Sequence, residues 1–168
     1  MLRHLLLLRL SLTTIAGASV AVWAHANGLV VPIFETDVSY LSYAIAALFL
    51  VGLASTFQRA AMVGAAIDEY KEYGVTTLLE RRARKLSEKY IHISDIAGWL
   101  QLLGMLGTVI GLAIALDGKA IDDAVAIQQG VKTAIGTTII GGFLSLWTSI
   151  NFRMLDTATV GLLQDVQQ

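Results

Sequence analysis

The chain has 168 residues, 55% hydrophobic and 15% charged, and its mean hydropathy of +0.66 is too high for an ordinary soluble domain of this length. A net charge of -1 gives no global positive field, which argues against nucleic acid as a partner. The absence of cysteine excludes disulfides, thiol redox chemistry and thiolate metal sites, and the three scattered histidines lack ligand spacing, so we predict no metal site.

Four apolar blocks of 18 to 21 residues each have the length that a helix needs to cross roughly 30 Å of hydrocarbon. The sequence therefore predicts an all-α integral membrane protein, folded as a single membrane domain. The predicted spans are residues 5–22, 38–57, 96–116 and 131–150. The first block also ends in Ala24-His25-Ala26, as a cleaved signal peptide does, but Arg9 interrupts its apolar run and favours a span.

Lysine and arginine flank the predicted spans unequally. Ten lie at the N-terminus, in the loop 58–93 or in the tail 151–168, whereas only Lys119 and Lys132 lie on the other side. Because basic loops are retained in the cytoplasm, we predict that both termini and the loop 58–93 are cytoplasmic. The two remaining loops then face outward.

The cytoplasmic loop lacks proline and carries apolar residues at spacings of three and four, which predicts helical extensions of spans two and three. Gly74, followed by a valine and two threonines, is its weakest helical stretch and favours a bend between the two extensions. Pro32, in the first outer loop, predicts a turn.

Spans three and four each carry one face of small and hydroxyl residues. In span three this face comprises Gln101, Gly104, Thr108, Gly111 and Ala115, with Gly107 and Gly111 forming a GxxxG pair. In span four it comprises Ala134, Thr137, Thr138, Gly141, Gly142, Ser145, Thr148 and Ser149. Such faces suit either close helix packing or a narrow water-filled path. The packing candidates are Gly104, Gly107, Gly111, Gly141 and Gly142.

Two segments of these spans resemble the MotA/TolQ/ExbB proton channel family. Residues 104–111 are similar to the family's G-x-x-G-T-V-x-G span, and residues 130–141 to its G-x-x-x-A-x-x-x-T-x-x-G span. The resemblance covers residues 96–152 and implies a subunit that conducts H⁺ or Na⁺ in a rotary or force-transmitting motor. It further implies a homopentamer around a dimer of a single-span partner similar to MotB, TolR or ExbD, in the bacterial inner membrane.

The same resemblance implies that Thr108 and Thr138 face the central pore near an aspartate of the partner, with Thr137 as a further candidate. A hydroxyl suits this task because it donates and accepts hydrogen bonds yet stays neutral. None of the four apolar blocks contains an acidic residue, so the partner has to supply the carboxylate. No cofactor is implied beyond the transported ion.

Three acidic residues beside the spans have two interpretations each. Asp122 and Asp123 fit a helix cap before span four or a collection point for cations at the outer mouth, and Asp95 fits a cap of span three or a point of ion release. Gln101 departs from the family, many of whose members have proline at this position.

A different class of function is also compatible with the sequence. The chain could be a small structural or assembly protein whose threonine and glycine face only packs helices. A membrane-embedded enzyme is disfavoured, because no span offers a nucleophile with a histidine or carboxylate partner.

Overall fold

The computed structural model describes residues 2–74, 91–117 and 124–167, and its regular elements there are all helices. The five helices are α1 (Leu2–Ala26), α2 (Val30–Thr36), α3 (Leu41–Tyr73), α4 (Ile91–Ala115) and α5 (Ala124–Gln167). Among the described residues, α1, α3, α4 and α5 are long and apolar enough to cross a membrane. The chain is thus all-helical with four candidate membrane spans, as predicted.

Two helices continue well past the spans that the sequence predicts. α3 continues to Tyr73, into the loop where the sequence predicts a helical extension of span two, and α5 runs from Ala124 to Gln167, so the described part of the tail is helical. Gly74 follows α3 with a φ of 70°, a left-handed conformation that glycine adopts without steric cost, at the predicted bend. The predictions for residues 75–90 and 118–123 lie outside the described residues.

The segment between α1 and α3 contains α2, a helix that the sequence does not predict. Pro32 is its third residue instead of part of a turn, which costs little because amides of the first helical turn have no acceptor within their own helix. The Thr133 hydroxyl donates a hydrogen bond of 2.6 Å to the carbonyl oxygen of Thr36, which joins α2 to α5. This polar contact therefore holds the end of α2 against α5.

Asp37 organises the start of α3. Its carboxylate accepts hydrogen bonds from the backbone N–H groups of Ser42 and Ser39 at 2.6 and 2.9 Å, and from the Ser39 hydroxyl at 2.6 Å. Burial acts to raise the pKa of Asp37, but the hydrogen bonds from Ser39 and Ser42 hold this pKa below its usual value. The ionised side chain thereby satisfies a first-turn amide of α3.

Replacing Asp37 with alanine is expected to lower the free energy of unfolding by about 1–2 kcal/mol, because the Ser42 amide loses its acceptor. Since the pKa is lower in the folded state, this stabilisation is present above about pH 4 and is lost as the pH falls through the folded-state pKa. Thermal unfolding in detergent, compared near neutral pH and at about pH 2, should show the difference between wild type and Asp37→Ala shrinking in acid. The exposed Glu35 provides a matched control, and equal destabilisation by Glu35→Ala would contradict the assignment.

Two apolar clusters hold the long helices together. One contains Leu6, Leu10, Ala60, Val63 and Leu155 from α1, α3 and α5, and the other contains Ile45, Phe49, Leu100 and Trp147 from α3, α4 and α5. Many other large apolar side chains point outward, among them Leu12, Leu102 and Ile139, which are 64%, 65% and 56% exposed. An apolar exterior of this extent on long helices is suited to contact with hydrocarbon.

Candidate functional site

The antiparallel helices α4 and α5 meet through glycines. A Cβ atom added to Gly111 would lie 2.5 Å from the carbonyl oxygen of Gly130, and one added to Gly141 would lie 2.7 Å from the Cα atom of Gly104. Separations below 3.0 Å from main-chain atoms leave no room for a side chain. The two main chains therefore touch along this contact, as small residues allow in membrane helices.

Thr108 on α4 and Thr138 on α5 lie opposite each other beside this glycine contact, and their hydroxyl groups are hydrogen-bonded to each other. Each hydroxyl also lies within reach of carbonyl oxygens. The Thr108 hydroxyl oxygen lies 3.2 Å from the carbonyl oxygen of Gly104 and 3.4 Å from that of Ala134, and the Thr138 hydroxyl oxygen lies 3.0 Å from that of Ala134 and 3.4 Å from that of Gly104. Because each hydroxyl has one proton, these are alternative acceptors. We call these two residues the threonine pair. Its Thr138 side is exposed and its Thr108 side is half-buried.

Thr137, the third threonine candidate, lies elsewhere. Its side chain is fully buried and points about 100° round α5 from Thr138, towards α4. It occupies the space left by the missing side chain of Gly107, and its hydroxyl donates to the carbonyl oxygen of Thr133 at 2.9 Å. The structure thus gives Thr137 a packing contact within the chain, and its hydroxyl, unlike that of Thr138, is not exposed.

The five glycine candidates fall into two groups, four that are buried and one that is exposed. Gly104, Gly107, Gly111 and Gly141 are buried where α4 meets α5. Gly142 is exposed, and a Cβ atom there would meet nothing within 4 Å among the described residues. The predicted helix contact of Gly142 therefore has no counterpart among the described residues and stays a prediction.

Asp95, the acidic candidate that the structure describes, is not beside the threonine pair. Asp95 is exposed near the start of α4, about 140° round the helix and about 20 Å along it from Thr108. Asp122 and Asp123 lie outside the described residues. The next acidic residue on α5 is Asp156, about 27 Å along the helix from Thr138.

The threonine pair offers neutral hydroxyls and main-chain carbonyl oxygens, and the neighbouring parts of α4 and α5 add no carboxylate. Such groups can exchange hydrogen bonds with a passing hydrated ion or with another polar side chain, but they bring no charge of their own. No cluster of three or more metal-ligating side chains occurs among the described residues. The chemistry available here is therefore hydrogen bonding by neutral groups.

Two further polar contacts fasten α5 to its neighbours. The Ser145 hydroxyl donates to the carbonyl oxygen of Ala97 at 2.7 Å, and the Thr13 hydroxyl donates to the side-chain oxygen of Asn151 at 2.8 Å. Asn151 is buried although it lies just past the predicted fourth span, so the sequence analysis misses it. The one signal in the sequence is its position three residues after Thr148 and four after Trp147, which places its amide on the same face of the helix as these two residues.

Similarity to known proteins was found at the level of the family. The model of the MotA/TolQ/ExbB proton channel family matches residues 43–168, about three quarters of the chain, and extends further towards the N-terminus than the resemblance over residues 96–152. No curated protein and no solved structure shows significant similarity to the chain. α1 and α2 lie outside the matched range, whereas the threonine pair and the glycine contact lie inside it. The chain belongs to the MotA/TolQ/ExbB proton channel family.

Proposed function

We propose that the chain is the ion-conducting subunit of a membrane motor in the bacterial inner membrane. Five copies form a ring around a dimer of a single-span partner similar to MotB, TolR or ExbD. The partner contributes the aspartate that binds the ion, and ion passage moves the partner or its load. Family membership supports the coarser role of a proton-channel subunit of a motor.

The observation that carries the finer proposal is the exposed hydroxyl face of the threonine pair. Placing an exposed hydroxyl of a membrane span against lipid costs free energy, whereas facing it towards water or another polar group does not. The neighbouring segments of α4 and α5 contain no acid that could bind an ion there. A carboxylate from a helix enclosed by several copies of the chain would supply the missing charge.

The distribution of basic residues supports the proposed orientation. With the N-terminus, residues 58–93 and the tail in the cytoplasm, ten lysines and arginines lie on the side where positive charge is retained. In this orientation the C-terminal part of α5 and the end of α3 extend on the cytoplasmic side.

Reconstitution tests the proposal directly. The chain would be purified together with a single-span protein whose gene adjoins its own and which carries an aspartate near its start, and both would be inserted into lipid vesicles. We expect proton or sodium flux only when both proteins are present, loss of flux when the partner's aspartate is changed to asparagine, and five chains per two partners by native mass spectrometry. Equal flux from the chain alone, or none from the assembled complex under either ion gradient, would refute it.

A purely structural role is the second candidate, and one observation favours it. The hydroxyls of Thr108, Thr137 and Thr138 all lie within hydrogen-bond distance of main-chain carbonyl oxygens of α4 or α5, so each has a partner without any ion. This candidate predicts an assembled complex that conducts no ion.

A further inference from the structure

We propose that the ion path continues from the threonine pair to Gln101, whose side-chain amide holds water in the path. This inference rests on the proposed function and extends it to a residue at which the chain departs from its family. Gln101 lies within the candidate span Ser94–Ala115, and its side chain is exposed. It has no hydrogen-bond partner in the part of the chain that the structure describes.

Gln101 lies on the same side of α4 as the threonine pair. It precedes Thr108 by seven residues, which places the two about 20° apart round the helix and about 10 Å apart along it. Across the contact, a Cβ atom on Gly141 would lie 2.8 Å from the carbonyl oxygen of Leu100, so Gln101 is level with Gly141 and Gly142. Gly142, which has no side chain, is therefore exposed at the same level of the two helices as Gln101.

An exposed amide at this depth needs a polar environment. Its carbonyl oxygen and NH₂ group would both lose hydrogen bonds in hydrocarbon, which costs about 2 kcal/mol or more. Leu102, the next residue, is 65% exposed and points about 100° further round α4, as suits a lipid-facing side chain. The two neighbours thus mark a polar and an apolar direction on the same turn of the helix.

A glutamine amide can both donate to and accept from water while remaining neutral, so it can order a water chain without trapping the ion. In the proposed orientation Gln101 lies on the cytoplasmic side of the threonine pair, about two helical turns away. It is the side chain that would keep the path hydrated between the pair and that end of α4. Proline has no side-chain polar group and could not serve this purpose.

Cysteine labelling tests the inference, because the chain contains no cysteine and a single introduced thiol is unambiguous. In the assembled complex, Gln101→Cys should react with the membrane-impermeant reagent 2-sulfonatoethyl methanethiosulfonate. Leu102→Cys, at the same depth, should react at least about tenfold more slowly, since a thiol in hydrocarbon does not form the reactive thiolate. Equal labelling of both variants, or no labelling of Gln101→Cys, would overturn the inference.

Ion flux provides a second readout. Gln101→Leu keeps a similar volume but removes the amide, and we expect flux to fall about fivefold in an oligomer of unchanged size, whereas Gln101→Asn should retain most of the flux. Unchanged flux in Gln101→Leu would overturn the inference. If the wild-type complex conducts but Gln101→Cys is not labelled, only the extension to Gln101 fails; if the assembled complex conducts no ion, the proposed function fails as well.

Discussion

Replacing Thr138 with valine is expected to reduce ion flux by about 10- to 100-fold while the oligomer stays intact. Valine keeps the branched shape of threonine but removes the hydroxyl that is hydrogen-bonded to Thr108. A hydrogen bond to a charged group contributes about 1.5–3 kcal/mol, which corresponds to that range of rates. Flux into vesicles, measured beside the size of the complex, separates a conduction defect from an assembly defect.

Three further variants sharpen this test. Thr138→Ser keeps the hydroxyl and should conserve most of the flux, whereas Thr108→Val removes the other member of the pair and should behave like Thr138→Val. Thr157→Val is the matched control, because Thr157 is an exposed threonine of α5 whose hydroxyl donates to the carbonyl oxygen of Arg153. The motor proposal fails if flux persists in well-assembled Thr138→Val and Thr108→Val proteins. Loss of assembly in these variants would favour the packing role.

Replacing Gly141 with alanine is expected to lower the free energy of unfolding by about 1–3 kcal/mol, the usual cost of overpacking. The added methyl group would lie 2.7 Å from the Cα atom of Gly104 and 2.8 Å from the carbonyl oxygen of Leu100. Both are main-chain atoms, so relief requires that α4 and α5 move apart. Thermal unfolding of the full chain in detergent measures the effect.

The adjacent glycine provides the control. A methyl group on Gly142 would meet nothing within 4 Å, so Gly142→Ala should change the free energy of unfolding by no more than about 0.5 kcal/mol. Equal destabilisation by Gly141→Ala and Gly142→Ala would show that the contact between α4 and α5 differs from the one described.

The spans could be predicted because hydrophobic length reports directly on membrane thickness. The same rule could not give the full helices, since it measures the apolar part of a helix and not its end. Residues after Ile150 mix polar and apolar side chains, so α5 appears in the sequence to leave the membrane at that point although its backbone continues to Gln167. The helix α2 was missed because Pro32 was interpreted as a turn residue, although proline also fits a first helical turn.

Within the candidate site, residue spacing places the small and hydroxyl residues on one face of each helix but does not say which of them make contact. Thr137 and Thr138 are neighbours in the chain and appear equivalent there, yet one is buried against Gly107 and the other is exposed beside Thr108. Gly141 and Gly142 differ in the same way. The polar half of a helix is wider than the strip that touches a partner, so the choice between adjacent residues depends on how the helices cross.

The unbroken length of α5 has a mechanical consequence. Its 44 residues contain no proline, and a straight helix of that length extends about 66 Å, of which about 44 Å lies between Thr138 and Gln167. Beyond Thr138 the helix is tied to α4 through Ser145, to α1 through Asn151, and to α1 and α3 through Leu155, so the packed parts of these helices have to move with it. A tilt of α5 by about 5° around Gly141 would displace its far end by about 3 Å, and the helices packed against that end would be displaced with it.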